Sequence, residues 1–428
     1  MRLADLSGRR VVLLGLGEDV RAALGAIRGA GPAEVTLVDA GLEPTAPGEF
    51  GAEGVRVIGL DEACATAEVF VRSPGYPRFE PALVEAMERG GRMTTPLDLW
   101  MGTLGPEQRV VAITGTKGKS TTTELVGHFA RGAGLRVGLA GNLGIPVFAD
   151  GWDSTAPVIV LEVSSYQASD LHHAPEIAVL TSLTEDHLDW HGGVERYRSD
   201  KLRVLRNDGG SARVVIVSSE SPGALEAAKD FDPVVVVPPA AGELPLQRVQ
   251  NAALAAEVIH QLGVDRPTVA AILDGASRSL PGRLDPCVAP AGSRCSGVRF
   301  VDDALASNPS ATAAGLAWAR EQGVTTVLLI GGADRGVDPA PLAEEVARWS
   351  PGSLRAIALA DSGDALAAAV GLEVVESADS VEHAVAIAAD LAGPDGIVLF
   401  SPAAPTPRGS GNWETRSASF RRAIADLT

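Results

Sequence analysis

Short runs of apolar, β-branched residues recur along the chain, each followed by a Gly- or Pro-bearing turn and then by helical spacing of the apolar positions. That alternation predicts strands interleaved with helices, and so mostly parallel sheets with helices on both faces. Three such stretches are visible. The first, 1–98, opens on the run Arg9–Leu14, a turn Gly15-Leu16-Gly17 and a helical pattern through Val20, Ala23, Leu24 and Ile27. Val35–Asp39 reads as a second strand ending in an acid. Ala67–Val71 reads as a further strand, running into Arg72-Ser73-Pro74-Gly75. This is half of a Rossmann-like unit. Val20 stands at the third glycine position of the fingerprint, so a plain glycine turn without ligand competes with the nucleotide reading.

The second stretch, 99–281, predicts strands at Val110–Thr114, Val158–Ser165, Ile177–Thr181, Val214–Val217 and Val234–Val237. The third, 282–428, predicts strands at Val298–Val301, Thr326–Ile330, Arg355–Leu359 and Ile397–Phe400. Helices are expected near Ser310–Arg320, Pro339–Trp349 and Val381–Leu391, with a last one starting near Ser417. Leu280–Asp285 reads as the hinge, because Pro281 and Gly282 break both neighbouring patterns. The expected fold class is α/β in three domains: an N-terminal Rossmann-like domain, a central P-loop-type domain and a C-terminal Rossmann-like domain.

Composition narrows this picture. A chain of 428 residues suits about three domains at roughly 150 residues each. The net charge of −18 argues against nucleic-acid binding, which needs a basic surface, but leaves room for a local cationic cluster around an anionic substrate. No apolar run has the roughly 18–20 residues of a membrane helix, and the N-terminus runs straight into a strand pattern. No membrane insertion and no signal peptide are expected. Cys64, Cys287 and Cys295 are scattered and odd in number, which suits reduced structural thiols and a cytoplasmic address.

The chemistry concentrates after Val110–Thr114. Gly115-Thr116-Lys117-Gly118-Lys119-Ser120-Thr121 opens a helical pattern. Backbone N–H groups and a helix N-terminus there would face phosphates, Lys119 would neutralise charge, and a hydroxyl such as Ser120 would reach Mg²⁺. Ile113 replaces the first glycine of the strict P-loop pattern. Glu162 ends a strand expected beside this loop, where it reads either as a Mg²⁺ ligand or as a capping or solvent-facing carboxylate. His187, among Glu185, Asp186 and Asp189, reads as a metal or substrate contact or as a surface histidine. Lys201, taken by itself, reads as a surface lysine on a helix. In the third stretch, three polar loops follow strands: Asp302-Asp303 with Ser307-Asn308, Gly331–Gly336, and Ser401–Thr406. Together they make one ligand-binding face, although each alone is an ordinary turn.

These segments, taken in order, resemble the Mur ligases along nearly the whole chain. The form T-G-T-x-G-K-[ST] at Thr114–Ser120, Gly141–Pro146, Leu161–Gln167, Thr184–His187, Lys201–Arg203, Pro281–Arg283 and Ser401–Ala403 carry the resemblance. It implies an ATP-dependent enzyme that phosphorylates the carboxylate of a nucleotide-linked substrate and joins an amino acid to the acyl phosphate. The glutamate-adding branch is the best match, with UDP-N-acetylmuramoyl-L-alanine and glutamate as implied partners and a monomer as the expected state. It places Lys119, Glu162, His187 and Lys201 in catalysis, and Mg²⁺ at two sites on Ser120, Glu162, His187 and a carbamylated Lys201. ATP would be held by Gly115–Thr121, Asn251, Arg283 and Asp303. The substrates would meet Gly15, Asp39, Ser73, Gly75, Asn142, His187, Ser307, Arg335, Ser401, Thr406 and Trp413. Leu305 and Arg335 stand where lysines are usual, and Ser401–Thr406 runs into Asn412-Trp413-Glu414. These departures cluster in the amino-acid pocket and resemble the branch that adds L-glutamate, leaving D and L both open. A ligase of the same mechanism with another acceptor, and a catalytically silent nucleotide-binding regulator, are the alternatives.

Overall fold

The computed structural model describes residues 1–45, 51–238, 246–278, 282–290, 292–293, 295–333, 338–407, 410 and 413–427. Three main sheets are present among the described residues, and the chain divides into two compact units at Leu273/Asp274, inside the helix Arg266–Arg278. The first two sheets share one unit and the third lies in the other.

The first sheet comprises β1 (Arg10–Leu14), β2 (Glu34–Val38), β3 (Arg56–Val57), β4 (Val69–Arg72) and β5 (Arg92–Thr94), all parallel in the order β3-β2-β1-β4-β5. The order changes direction between β1 and β4. Open sheets of this kind bind ligands at the carboxyl ends of such a pair. Val20 is fully buried beneath the helix Glu18–Gly29, which explains an apolar residue at the third fingerprint position.

The second sheet comprises β6 (Arg109–Thr114), β7 (Val137–Gly141), β8 (Val158–Glu162), β9 (Ile177–Leu180), β12 (Val214–Ser218) and β13 (Val234–Val237). A two-residue hairpin, β10 (Arg206–Asn207) with β11 (Gly210–Ser211), stands apart from it. The sheet is parallel in the order β13-β12-β9-β6-β8-β7, so β6 is flanked by β8 and β9. Strands covered on both faces have no reason to alternate, and β8, β9 and β12 are buried at every position.

The two sheets of this unit are tied by buried charge. Asp98, on the helix Pro96–Met101, accepts from the His172 N–H (2.6 Å) and pairs with His173 Nδ1 (2.9 Å). Burial works to raise its carboxyl pKa, but the His172 and His173 hydrogen bonds help hold it well below the usual carboxylate range.

The third sheet comprises β14 (Asp285–Cys287), β15 (Arg299–Asp302), β16 (Thr326–Ile330), β17 (Leu354–Leu359), β18 (Val374–Ala378) and β19 (Ile397–Phe400), in the order β14-β15-β19-β16-β17-β18. All neighbours are parallel except the edge strand β14. Asp285, read as the end of the hinge, therefore begins a strand opposite Asp302. The last helix begins at Trp413, not near Ser417, because Arg416, Ser417, Phe420 and Ile424 form its buried stripe. Among the described residues no helix is long and apolar enough to cross a membrane. The three cysteines are free thiols, and burial pushes that of Cys287 up to about 12.

Candidate active site

The loop after β6 is shaped by two glycines. Gly115 has φ 150°, and a Cβ there would stand 2.0 Å from Thr181 Oγ1, at the end of β9. Gly118 has φ 87° and precedes the helix Lys119–Gly132; a Cβ there would stand 2.8 Å from Asn251 Oδ1. Asn251 thus lies against the loop. Side chains fix the rest. Thr116 Oγ1 is 2.7 Å from the Tyr197 hydroxyl and accepts from the Thr184 N–H, while the Lys117 N–H donates to Ser182 Oγ. The outcome is a rigid cradle at the positive end of a long helix. Ser120 and Thr121 are half-buried at that end, and the hydroxyls of Thr122 and Thr123, one turn in, are buried without a partner.

Two lysine amino groups enter this cradle. Lys119 Nζ donates to the carbonyls of Gly115 (3.0 Å) and Thr116 (3.1 Å), and Lys201 Nζ donates to the same Gly115 carbonyl (3.0 Å). Lys201 is only 2% exposed, which excludes the surface reading. Burial, and then the nearby Lys119 charge, lower its pKa well below the lysine range, with Asp186 and Glu162 opposing. Its helix, Val194–Leu202, also carries Tyr197 one turn earlier, where burial pushes the phenol up to about 12.

Glu162 ends β8 in register with Ile113 and Gly141. Its Oε1 accepts from Asn142 Nδ2 (2.8 Å), while Oε2 is buried with no hydrogen-bond partner. A buried carboxylate oxygen without a donor is costly, and a cation would complete it. His187 is exposed, with φ 50° and its ring 5.0 Å from that of Tyr166. Burial and the Lys119 and Lys201 charges lower its pKa against Asp186, favouring the neutral, ligating imidazole. No three His, Cys, Asp or Glu side chains among the described residues form a ready-made cation site. The metal set expected from sequence would therefore need the Ser120 hydroxyl and an anionic form of Lys201 beside Glu162 and His187.

At the β1/β4 switch, Gly15 and Gly17 pack on Ser73; a Cβ on Gly17 would stand 2.4 Å from Ser73 Oγ. Asp39 is committed to shaping this loop, its carboxylate accepting from the N–H groups of Leu16 (2.8 Å) and Gly41 (2.9 Å). Arg72 and Trp190 hold the neighbouring Ser73–Tyr76 loop. Sequence reading missed Arg72, because an arginine ending an apolar run looks like a strand end reaching solvent. Tyr197 and Thr181 were missed too. For Tyr197 the available signal was its i, i+4 spacing from Lys201.

In the other unit, the loops after β15, β16 and β19 adjoin. Ser401 Oγ donates to Asp303 Oδ2 (2.8 Å), and both residues are fully buried. Arg416 donates to the Gly331 (2.7 Å) and Ala404 (3.4 Å) carbonyls, and burial lowers its pKa to about 10. A cavity of about 160 Å³ opens beside them, lined by Ser307, Ala333, Ser362, Ala365, Leu366 and Pro405 among others. Ser401, Thr406 and Trp413 do not line it. Trp413 packs instead on Gly282, where a Cβ would come within 2.8 Å of its ring. Arg283 is buried. Arg335 lies outside the described residues.

An α/β chain with a glycine-shaped phosphate cradle beside a buried acid and two lysines defines the class, and the comparisons with known proteins give the family. Residues 113–241 match the Mur ligase middle domain and residues 290–404 the Mur ligase glutamate ligase domain. A Micromonospora protein named UDP-N-acetylmuramoyl-L-alanine–L-glutamate ligase is 35% identical, with 100% of this chain and 98% of that protein covered. A protein of the same name from Xanthomonas oryzae pv. oryzae is 30% identical over 98% of this chain and 96% of its own. A Rubrobacter xylanophilus protein named UDP-N-acetylmuramoylalanine–D-glutamate ligase is 32% identical over 97% and 98%. The chain belongs to the Mur ligase family.

Proposed function

We propose that the chain is an ATP-dependent ligase that adds glutamate to UDP-N-acetylmuramoyl-L-alanine in peptidoglycan precursor synthesis, acting as a cytoplasmic monomer. The observation that carries the reading is the convergence of Lys119 and Lys201 on the Gly115 carbonyl, with the unpartnered Glu162 oxygen nearby. Such a cradle suits a polyphosphate meeting a carboxylate, where several anions must be screened at once. Residues 1–98 would bind the nucleotide-linked substrate through Gly15, Ser73, Gly75, Asn142 and His187, with Asp39 holding the loop. Residues 99–281 would bind ATP through Gly115–Thr121 and Asn251, Arg283 and Asp303 would serve ATP binding, and residues 282–428 would bind the amino acid.

The γ-phosphoryl group passes to the alanyl carboxylate oxygen, releasing ADP. The glutamate amine then attacks the acyl carbon, and inorganic phosphate leaves. Lys119 holds the β/γ-phosphate charge through both steps. Ser120, Glu162, His187 and a carbamylated Lys201 would hold Mg²⁺, which supplies charge neutralisation on the phosphate oxygens when bound. The lowered basicity of Lys201 supports that modification: a neutral amine takes up CO₂ and loses a proton to become a carbamate. The relatives named for L-glutamate, together with the Arg335 and Ser401–Thr406 forms, support the L enantiomer as the amino acid.

The test is phosphate release from UDP-N-acetylmuramoyl-L-alanine, ATP and Mg²⁺ with each glutamate enantiomer in turn. Release with L-glutamate is expected. Silence with both enantiomers overturns the reading.

A further inference from the structure

Arg72 is wholly buried, and its guanidinium is shared between two parts of one unit. On one side Nη1 donates to the carbonyls of Ser73 (3.1 Å), Pro74 (2.5 Å) and Tyr76 (3.2 Å). Trp190 Nε1 donates to the remaining carbonyl of that loop, Gly75 (3.3 Å). Four consecutive carbonyls after β4 are therefore turned onto two side chains. On the other side Nη2 donates to the Tyr166 carbonyl and to Ser169 Oγ, both at 2.7 Å, and Nε donates to Asp170 Oδ2 (2.8 Å). The Arg72 guanidinium also lies 5.1 Å from the centre of the Trp190 ring. The Tyr166 ring in turn lies against Trp190 (4.7 Å) and His187 (5.0 Å). A buried charge so fully engaged is poor value as simple stabilisation, since apolar residues fill such space at less cost. It does fix geometry, because a planar fork dictates where every acceptor sits.

We propose that Arg72 is a positioning residue that sets the Ser73–Tyr76 loop in its substrate-receiving shape by locking it to the Tyr166–Asp170 segment. The proposal rests on the reading that this loop receives the nucleotide-linked substrate. The phosphate cradle after β6 does not touch Arg72, so a defect here should separate the two nucleotides. A lysine keeps the charge but cannot span the acceptors, and the loop relaxes.

The experiment is steady-state phosphate release by the full chain and by Arg72→Lys, with UDP-N-acetylmuramoyl-L-alanine and ATP varied separately. The expected result is a rise of about tenfold in KM for the nucleotide-linked substrate with KM for ATP within about twofold of wild type. An unchanged KM, or equal factors on both substrates, overturns the proposal. If Arg72→Lys does not fold, Ser169→Ala removes one acceptor of the same fork. A selective rise of about threefold then supports the proposal and no change overturns it. A wild-type chain that releases no phosphate counts against the proposed function instead. Calorimetric binding of UDP then reads the loop: binding lost in Arg72→Lys with ADP binding kept supports the role, and equal UDP binding overturns it.

Discussion

Lys119 and Lys201 place their Nζ atoms on one backbone carbonyl, that of Gly115, each at 3.0 Å. One consequence is a pH-dependent stability. Burial and the Lys119 charge disfavour the protonated form of Lys201 in the folded chain. Between that lowered pKa and the usual value near 10.5, the unfolded chain binds more protons than the folded one. Stability therefore rises with pH across this window. Urea unfolding at pH values stepped down from about 9.5 should show that slope, and Lys201→Met should flatten it. Equal slopes for wild type and variant would refute the origin assigned to it.

Glu162→Gln separates charge from shape. The amide keeps an oxygen for Asn142 Nδ2 but removes the anionic Oε2 that has no donor. Activity should fall at least about 100-fold, as for loss of a preorganised charge at a phosphoryl centre. The thermal midpoint should stay nearly level, because the buried Oε2 that has no hydrogen-bond donor is removed while the favourable field of the carboxylate on Lys201 is lost with it. A large fall in the midpoint with activity retained would show a purely structural role.

Much of the fold was legible, and the parts that were not share a physical reason. β1, β6, β8, β9 and β12 are buried on both faces, so each reads as an unbroken apolar run. The edge strands Arg56–Val57 and Arg92–Thr94 are too short to show a period. β14 contains Pro286, which argues against a strand and is tolerated at a sheet edge. β7 is hidden by Gly138 and Gly141, where a Cβ would stand 2.1 and 2.3 Å from the backbone oxygens of Asp153 and Glu162. The phosphate cradle was readable because glycine spacing encodes it locally. The burial of Lys201 and Arg72 was not, because it depends on segments far away in sequence. A polar helix such as Val194–Leu202 gives no sign that one of its lysines points inward.

Gly118 tests the cradle itself. Alanine there must adopt φ near 87° and place a methyl group against Asn251 Oδ1. The left-handed conformation alone costs about 1–2 kcal/mol. Gly118→Ala should lower the denaturation midpoint and abolish ADP binding measured by calorimetry, with UDP binding retained. ADP bound at wild-type affinity would show that the loop does not receive the nucleotide.

Ala365 tests the pocket of the third sheet. It sits on the short helix Gly363–Ala369, which contributes Ala365, Leu366 and Ala369 to the lining of the cavity of about 160 Å³, together with Ser307 and Pro405 from other segments. An alanine-rich helix gives no chemical signal in sequence, yet its small side chains set how much room the cavity has. Leucine at this position adds three carbons to a space barely larger than an amino-acid side chain, so the ligand and the new methyl groups compete for the same volume. Ala365→Leu should raise KM for glutamate by about tenfold or more while KM for ATP and for the nucleotide-linked substrate hold steady. If all three constants are unchanged, the amino acid binds elsewhere in the chain. If all three move together, the substitution has disturbed the fold and not the pocket.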